Sequence, residues 1–232
     1  MLDGLTRFSD PVLWLQIGSA AAWVGFVVLV AYSLRAWKLA EPEMVRKIVH
    51  IGTGNVILFA WWFQLPAAVG IGSSLLFSVI TLLSYRFPLL PGINSVGRKS
   101  LGTFFYAVSI GVLIACFWQT APHLAVIGVL IMTWGDGLAA VVGQRWGTHR
   151  YELAGMQKSW EGSLTMLGMS WLVSSLVLLS VYGNLWQSWL IGLAAALVAT
   201  GLEAFSKLGI DNITVPLGSA GVTFGLIHLL LG

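Results

Sequence analysis

Long runs of apolar residues separated by short polar or proline-containing links set the pattern of this chain. Runs near 20 residues match the length of a helix that crosses the hydrocarbon core of a bilayer, where every backbone hydrogen bond must close within the segment. The pattern predicts helical spans over 12–34, 48–65, 67–85, 101–119, 122–142, 162–182, 186–204 and 214–231, about eight in all, with seven the other count the apolar length allows. Links such as Gln64-Leu65-Pro66 and Gln119-Thr120-Ala121-Pro122 read as tight hairpins. No low-complexity segment or internal repeat interrupts the series, so residues 1–232 read as a single transmembrane domain. The fold class is an all-α polytopic integral membrane protein.

Composition agrees. Of 232 residues, 57% are hydrophobic and 9% charged, where a soluble domain carries about 25% charged residues. The first residues, with Asp3, Arg7 and Asp10, lack the basic n-region of a cleavable signal. The single cysteine, Cys116, excludes a disulfide within the chain and, inside an apolar run, reads as a buried, inert thiol. The pI near 9.2 does not indicate nucleic acid, because the basic residues are few and spread over several links. With eight spans, Arg35, Lys38, Arg46 and Lys47 fall in the first link, and Arg86, Arg98 and Lys99 in the third. Arg145, Arg150 and Lys158 fall in the fifth and Lys207 in the seventh, leaving only Arg7 opposite. The positive-inside rule then puts both termini outside and these links in the cytoplasm.

The chemically capable residues gather in the same links, so candidate active-site groups converge on the cytoplasmic face. Arg46, Lys47 and His50 share a helix face at three- and four-residue spacing, two cations placed for phosphate or for anchoring at lipid headgroups. Arg98, Lys99 and Ser100 can contact phosphate and Tyr106 a headgroup, or equally serve as a basic anchor, a helix cap and an interfacial aromatic. Asp136, in Gly135-Asp136-Gly137-Leu138-Ala139-Ala140, is an acid inside a span, which costs a few kcal/mol and marks function. Ala139, Ala140 and Gly143 extend it as a small-residue face for close helix approach. Gly143, Gly147, Lys158, Ser159 and Glu161 follow: glycine backbone that can approach phosphate, a lysine to neutralise it, and a second carboxylate for magnesium. No Walker pattern is present. Glu203 and Lys207 stand four apart, an ordinary ion pair unless recruited, and Asp211-Asn212 offer further oxygen ligands ahead of Pro216. Trp134 is placed to stack on a base or wall a substrate channel.

Jointly, Arg46-Lys47-His50, then Gly135-Asp136-Ala139 with Gly143 and Gly147, then Lys158-Ser159-Glu161-Gly162-Ser163, then Glu203-Lys207-Gly209-Asp211-Asn212-Pro216 resemble the polyprenol kinase family, whose phytol kinase branch is nearest in length. The resemblance implies transfer of the terminal phosphoryl group of a nucleoside triphosphate, typically CTP, to an isoprenoid alcohol such as phytol, geranylgeraniol or farnesol. For such a reaction the residues themselves suggest Asp136 and Glu161 as magnesium ligands, with Asp211 a further candidate. Arg46, Lys47, Arg98, Lys99, Gly143, Gly147, Lys158, Ser159 and Lys207 fall to the phosphates, and His50 and Glu203 are alternative proton acceptors. The third block is also similar to phosphatidate cytidylyltransferases, but the C-terminal segment departs from theirs. A transporter would carry its acids on broken helices at mid-membrane rather than at one face. The partners implied are the alcohol, the nucleotide and the bilayer, not nucleic acid; the oligomeric state is left open.

Overall fold

The computed structural model describes residues 10–87, 101–153 and 155–232. Its helices are α1 (Pro11–Ala36), α2 (Pro42–Gly54), α3 (Val56–Trp62), α4 (Ala67–Ser84), α5 (Gly102–Phe117), α6 (Pro122–Leu130), α7 (Gly137–Trp146), α8 (Trp160–Tyr182), α9 (Trp186–Ala204) and α10 (Asp211–Leu230). A π-helical turn, Ile131–Asp136, joins α6 to α7 in one rod. Two short antiparallel strands, β1 (Arg150–Leu153) and β2 (Met156–Ser159), form a hairpin where the sequence pattern predicts only a loop. Among the described residues six helices are long and apolar enough to cross a membrane: α1, α4, the 122–146 rod, α8, α9 and α10. The chain is an all-α polytopic membrane protein.

The segment 48–65 departs from the predicted single span. Pro42 in the first helical turn, where a missing N–H is harmless, starts α2 six residues early. The Asn55 side chain donates back to the Ile51 carbonyl at 2.8 Å, and the helix breaks there before resuming as α3. The last helix also starts early, at Asp211, and carries Pro216 inside it.

The rod is the axis of the bundle, mostly buried, whereas α1 is largely exposed. The core around it is apolar, with Leu113, Ile127, Met132 and Met166 fully buried, but α4 turns small polar groups inward and large apolar ones outward. On α4, Ser74, Ser78, Thr81 and Ser84 are buried while Leu75, Leu76, Leu82 and Leu83 are exposed. Those inward hydroxyls need partners inside the bundle: Ser78 donates to the Ser74 carbonyl and Thr81 to the Phe77 carbonyl, each at 2.8 Å, while Ser74 reaches across to the Ala107 carbonyl of α5. Lipid tails are as apolar as leucine, so helices here associate through small residues and close packing. Cys116 follows the same logic and corrects the buried reading: it lies exposed on the outer face of α5, because an apolar run in a membrane helix has an apolar outside as well.

One end of the bundle is tied by Trp118, whose Nε1 donates to the Leu65 carbonyl at 2.8 Å, and by His123 with Tyr182 at 3.1 Å. The polar blocks lie at the other end. Where α6 crosses α10, a Cβ at Gly128 would stand 2.6 Å from the Pro216 carbonyl oxygen, a backbone atom that cannot step aside. Gly128→Ala is therefore expected to lower stability by about 1–3 kcal/mol. Gly168→Ala, into open space, is expected to be neutral or stabilising by about 0.5–1 kcal/mol. Denaturation midpoints in detergent check both; equal midpoints would remove the crossing as a packing constraint.

Candidate active site

Lys47 leaves α2 toward the rod, and its Nζ donates to Asp136 Oδ2 at 2.7 Å, with side chains only 6% and 13% exposed. His50, one turn further along, donates from Nε2 to the Met132 carbonyl at 3.1 Å and stands 3.8 Å from Asp136 Oδ2. A carbonyl only accepts, so Nε2 carries a proton and, in the neutral ring, Nδ1 keeps the lone pair. Met132 and Asp136 both belong to the π turn, a local widening that recurs at functional sites. Side chains brace that turn from either side. Tyr106 OH and Thr133 Oγ1 meet at 2.7 Å, and Trp134 Nε1 donates to Asn55 Oδ1 at 3.1 Å. Tyr106 is thus a buried brace rather than a headgroup ligand, and Trp134 a tether between the turn and the α2–α3 break. Arg46 turns away from His50 and pairs with Glu43, Nε to Oε2 at 3.0 Å.

The hairpin carries the next residues. Tyr151 pairs with Lys158 across the ladder, and Gly155, at φ 75°, makes the turn in the left-handed region open to glycine. Lys158 reaches α9, donating to the Glu203 carbonyl at 3.2 Å and pairing with the Glu203 carboxylate. This displaces the Glu203–Lys207 pair that spacing suggests: α9 ends at Ala204, and Lys207 Nζ lies beside Gly155 instead.

Ser159 caps α8, its Oγ accepting the Gly162 N–H at 3.1 Å. Gly143 and Gly147 face that serine: a Cβ on them would approach Ser159 Oγ to 3.0 and 2.7 Å. Both glycines serve the close crossing of α7 on α8, as the small-residue face of Ala139, Ala140 and Gly143 anticipates. Glu161 is held to the side by Thr148 Oγ1 at 2.7 Å, His149 N at 3.1 Å and His149 Nδ1 at 2.8 Å. Arg98 and Lys99 lie outside the described residues.

The remaining charges converge. Asp211, at the start of α10, feels the charges of Asp136, Lys158 and Lys47, and Glu203 feels those of Lys158, Asp136 and Asp211. Four separate segments therefore bring Lys47, His50, Asp136, Lys158, Glu203 and Asp211 into one electrostatic group, with Arg46 at its edge. Among the described residues no three His, Cys, Asp or Glu side chains stand together closely enough to enclose a metal unaided. Beside the group, a cleft of about 380 Å³ opens between α2 and α7, lined by Glu43, Met44, Lys47, Val141, Gln144 and Arg145 among others. The sequence reading treats Arg145 only as a link charge and passes over Gln144; their position two turns beyond Asp136 on one helix is the signal that points to them.

No family model matches the chain, and no solved structure matches it. Phytol kinase of Synechocystis sp. is 49% identical over 221 residues, covering 95% of each chain. The chain belongs to the phytol kinase family. Phytol kinase 1, chloroplastic, of Arabidopsis thaliana is 27% identical over 239 residues, 90% of this chain and 77% of that one. Probable phytol kinase 1, chloroplastic, of Oryza sativa subsp. japonica is 30% identical over 206 residues, 80% of this chain and 65% of its own. The family to which the four blocks point is the one the relatives give.

The buried Lys47–Asp136 pair makes a prediction independent of activity. Lys47→Met or Asp136→Leu alone strands the opposite charge and is expected to cost about 3–5 kcal/mol, whereas the double variant loses far less than the sum. Unfolding of all four proteins in one detergent measures it; simple additivity would show that the two groups are not coupled.

Proposed function

We propose that this chain is a phytol kinase, transferring the γ-phosphoryl group of a nucleoside triphosphate, CTP by family resemblance, to the hydroxyl of phytol or of a related alcohol such as geranylgeraniol or farnesol. The observation that carries the reading is the 49% identity to the Synechocystis phytol kinase over nearly the whole of both chains. In the reaction the alcohol oxygen bonds to the γ-phosphorus as its bond to the β-phosphate oxygen breaks. The hydroxyl proton leaves, and the products are the prenyl monophosphate and the nucleoside diphosphate.

Phosphoryl transfer is chiefly positioning and charge stabilisation, and the residues divide along those lines. Lys47 and Lys158 lie inside the electrostatic group and Arg46 at its edge, so all three can turn from their carboxylate partners toward phosphate oxygens. Of the two candidate proton acceptors, His50 has the freer atom. Its Nδ1 keeps a lone pair while Nε2 is fixed on Met132, whereas the Glu203 carboxylate is engaged by Lys158. Magnesium takes one or two carboxylates and completes its shell with water and substrate phosphate. Asp136 and Asp211, within electrostatic range of each other, fit that donor set without a third ligand, and Glu161 stands apart, binding the Thr148–His149 segment. When bound there the ion would neutralise charge developing on the transferred group. The prenyl tail would lie between helices open to lipid, and the excess of Lys and Arg in these links supports a catalytic face on the cytoplasmic side.

Protein in detergent with magnesium, given γ-labelled CTP, ATP, GTP or UTP and each alcohol, is expected to form labelled prenyl phosphate, with CTP and phytol preferred. Phosphatidate-dependent release of pyrophosphate without γ-label transfer would replace the kinase by a cytidylyltransferase. Asp136→Asn is expected to cut turnover by roughly 100-fold or more in protein that still elutes as a folded species, while Glu161→Gln keeps most of it. Comparable losses in the two variants would return Glu161 to the metal site.

A further inference from the structure

The cleft between α2 and α7 has the makings of a binding site, and its contents differ from those of the buried group beside it. Lys47 belongs to both: its side chain lines the cleft while its Nζ holds Asp136, so one lysine joins the cleft to the candidate catalytic carboxylate behind it. From the opposite wall, in the last turn of α7, come Gln144 and Arg145. Arg46, Lys47 and Lys158 each hold a carboxylate. Arg145 has no hydrogen bond or ion pair among the described residues, and it is exposed. A basic residue in a last helical turn also complements the helix dipole, but that role does not require it to line a cleft shared with a second cation from another element.

Resting on the kinase reading, we infer that this cleft seats the nucleoside triphosphate, with Arg145 as a phosphate-binding residue and Gln144 as a polar contact to sugar or base. A guanidinium is suited to this task because its fixed fork of donors matches two phosphate oxygens at once. The phosphate chain runs from Arg145 inward to Lys47, delivering the terminal phosphoryl group toward Asp136. Leu39, Met44 and Val141 provide an apolar wall for the nucleoside. Two acids also line the cleft: Glu43 is neutralised by Arg46, and Glu41 is exposed, where water and salt screen its charge. A volume near 380 Å³ falls within the usual range for small-molecule sites. An anionic lipid headgroup offers the same phosphate chemistry at this depth, and the test separates the two sources.

The test uses full-length protein in bilayer discs of pure phosphatidylcholine and in discs containing phosphatidylglycerol, with nucleotide titrated at saturating phytol. A non-hydrolysable CTP analogue is titrated in parallel to read binding directly. Arg145→Ala is expected to raise the nucleotide KM and the analogue Kd by roughly 10- to 100-fold, the scale of one or two charge-assisted hydrogen bonds, with little change in kcat. Arg145→Lys is expected to fall between, and Arg150→Ala, which removes a charge from β1 outside the cleft, to change neither. An unchanged KM and Kd in Arg145→Ala overturns the inference. So does an effect confined to the phosphatidylglycerol discs, which gives the cleft to a lipid headgroup. Analogue binding that Arg145→Ala abolishes, in a protein that transfers no phosphoryl group to any alcohol, would uphold the nucleotide seat while removing the kinase reading.

Discussion

A lysine and an aspartate buried together at one end of an apolar bundle impose the constraint from which the rest of this structure follows. Lys47 and Asp136 are both almost fully buried, and either charge alone in such a place would cost several kcal/mol. Their pairing requires α2 to lie against the central rod at one height and one rotation. That requirement accounts for features otherwise without reason. The rod widens into a π turn just where Asp136 must be presented, Asn55 breaks α2 from α3 beside it, and Trp134, Tyr106 and Thr133 brace the turn with hydrogen bonds.

The same economy explains why the bundle is built from small residues. Without a hydrophobic drive between helices, backbones must come close for packing to stabilise the assembly. The rod is enclosed where glycine, alanine and serine allow approach, as at Gly128 against Pro216 and at Gly143 against Ser159 and Gly162. Close crossing of α7 on α8 fixes the start of α8, and the hairpin that precedes it carries Lys158 across to Glu203. Packing in the apolar layer thereby sets the positions of the charged groups above it.

Much of this was legible in the chain. Apolar runs located the helices, because a membrane helix advertises its whole length, and four polar blocks pointed to one site, because charge is rare in such a sequence. What escaped were properties that depend on partners from distant segments. Spacing pairs Glu203 with Lys207, but α9 ends before Lys207, and Lys158 arrives from the hairpin. Spacing puts Arg46 with His50, but Glu43 lies nearer on the same helix. Gly143 and Gly147 look like a phosphate cradle in sequence; in space they are filled by Ser159. Cys116 reads as buried from sequence because apolar neighbours do not distinguish a core from a lipid-facing surface. Asn55 and Thr133, single polar residues within apolar runs, were the available signal for the braced turn.

The electrostatic design has a consequence for any highly charged ligand. Lys47, Lys158 and Arg46 are each compensated by a carboxylate before a ligand arrives, which lets the cluster persist in a poor dielectric. Of the acids within range of one another there, Asp211 has no ion-pair partner among the described residues, its nearest support being the Asn212 amide at 3.1 Å. Across the adjoining cleft Arg145 is a cation without an ion-pair partner among the described residues. An anion entering alone would compete with carboxylates for every paired lysine and leave those carboxylates stranded, at several kcal/mol each. An anion that brings its own cation can exchange partners pairwise, lysine to phosphate and carboxylate to metal, without leaving a charge uncompensated at any stage. On the kinase proposal, a nucleotide complexed with magnesium would enter by such an exchange, whereas a bare triphosphate would meet the cost of stranding each carboxylate.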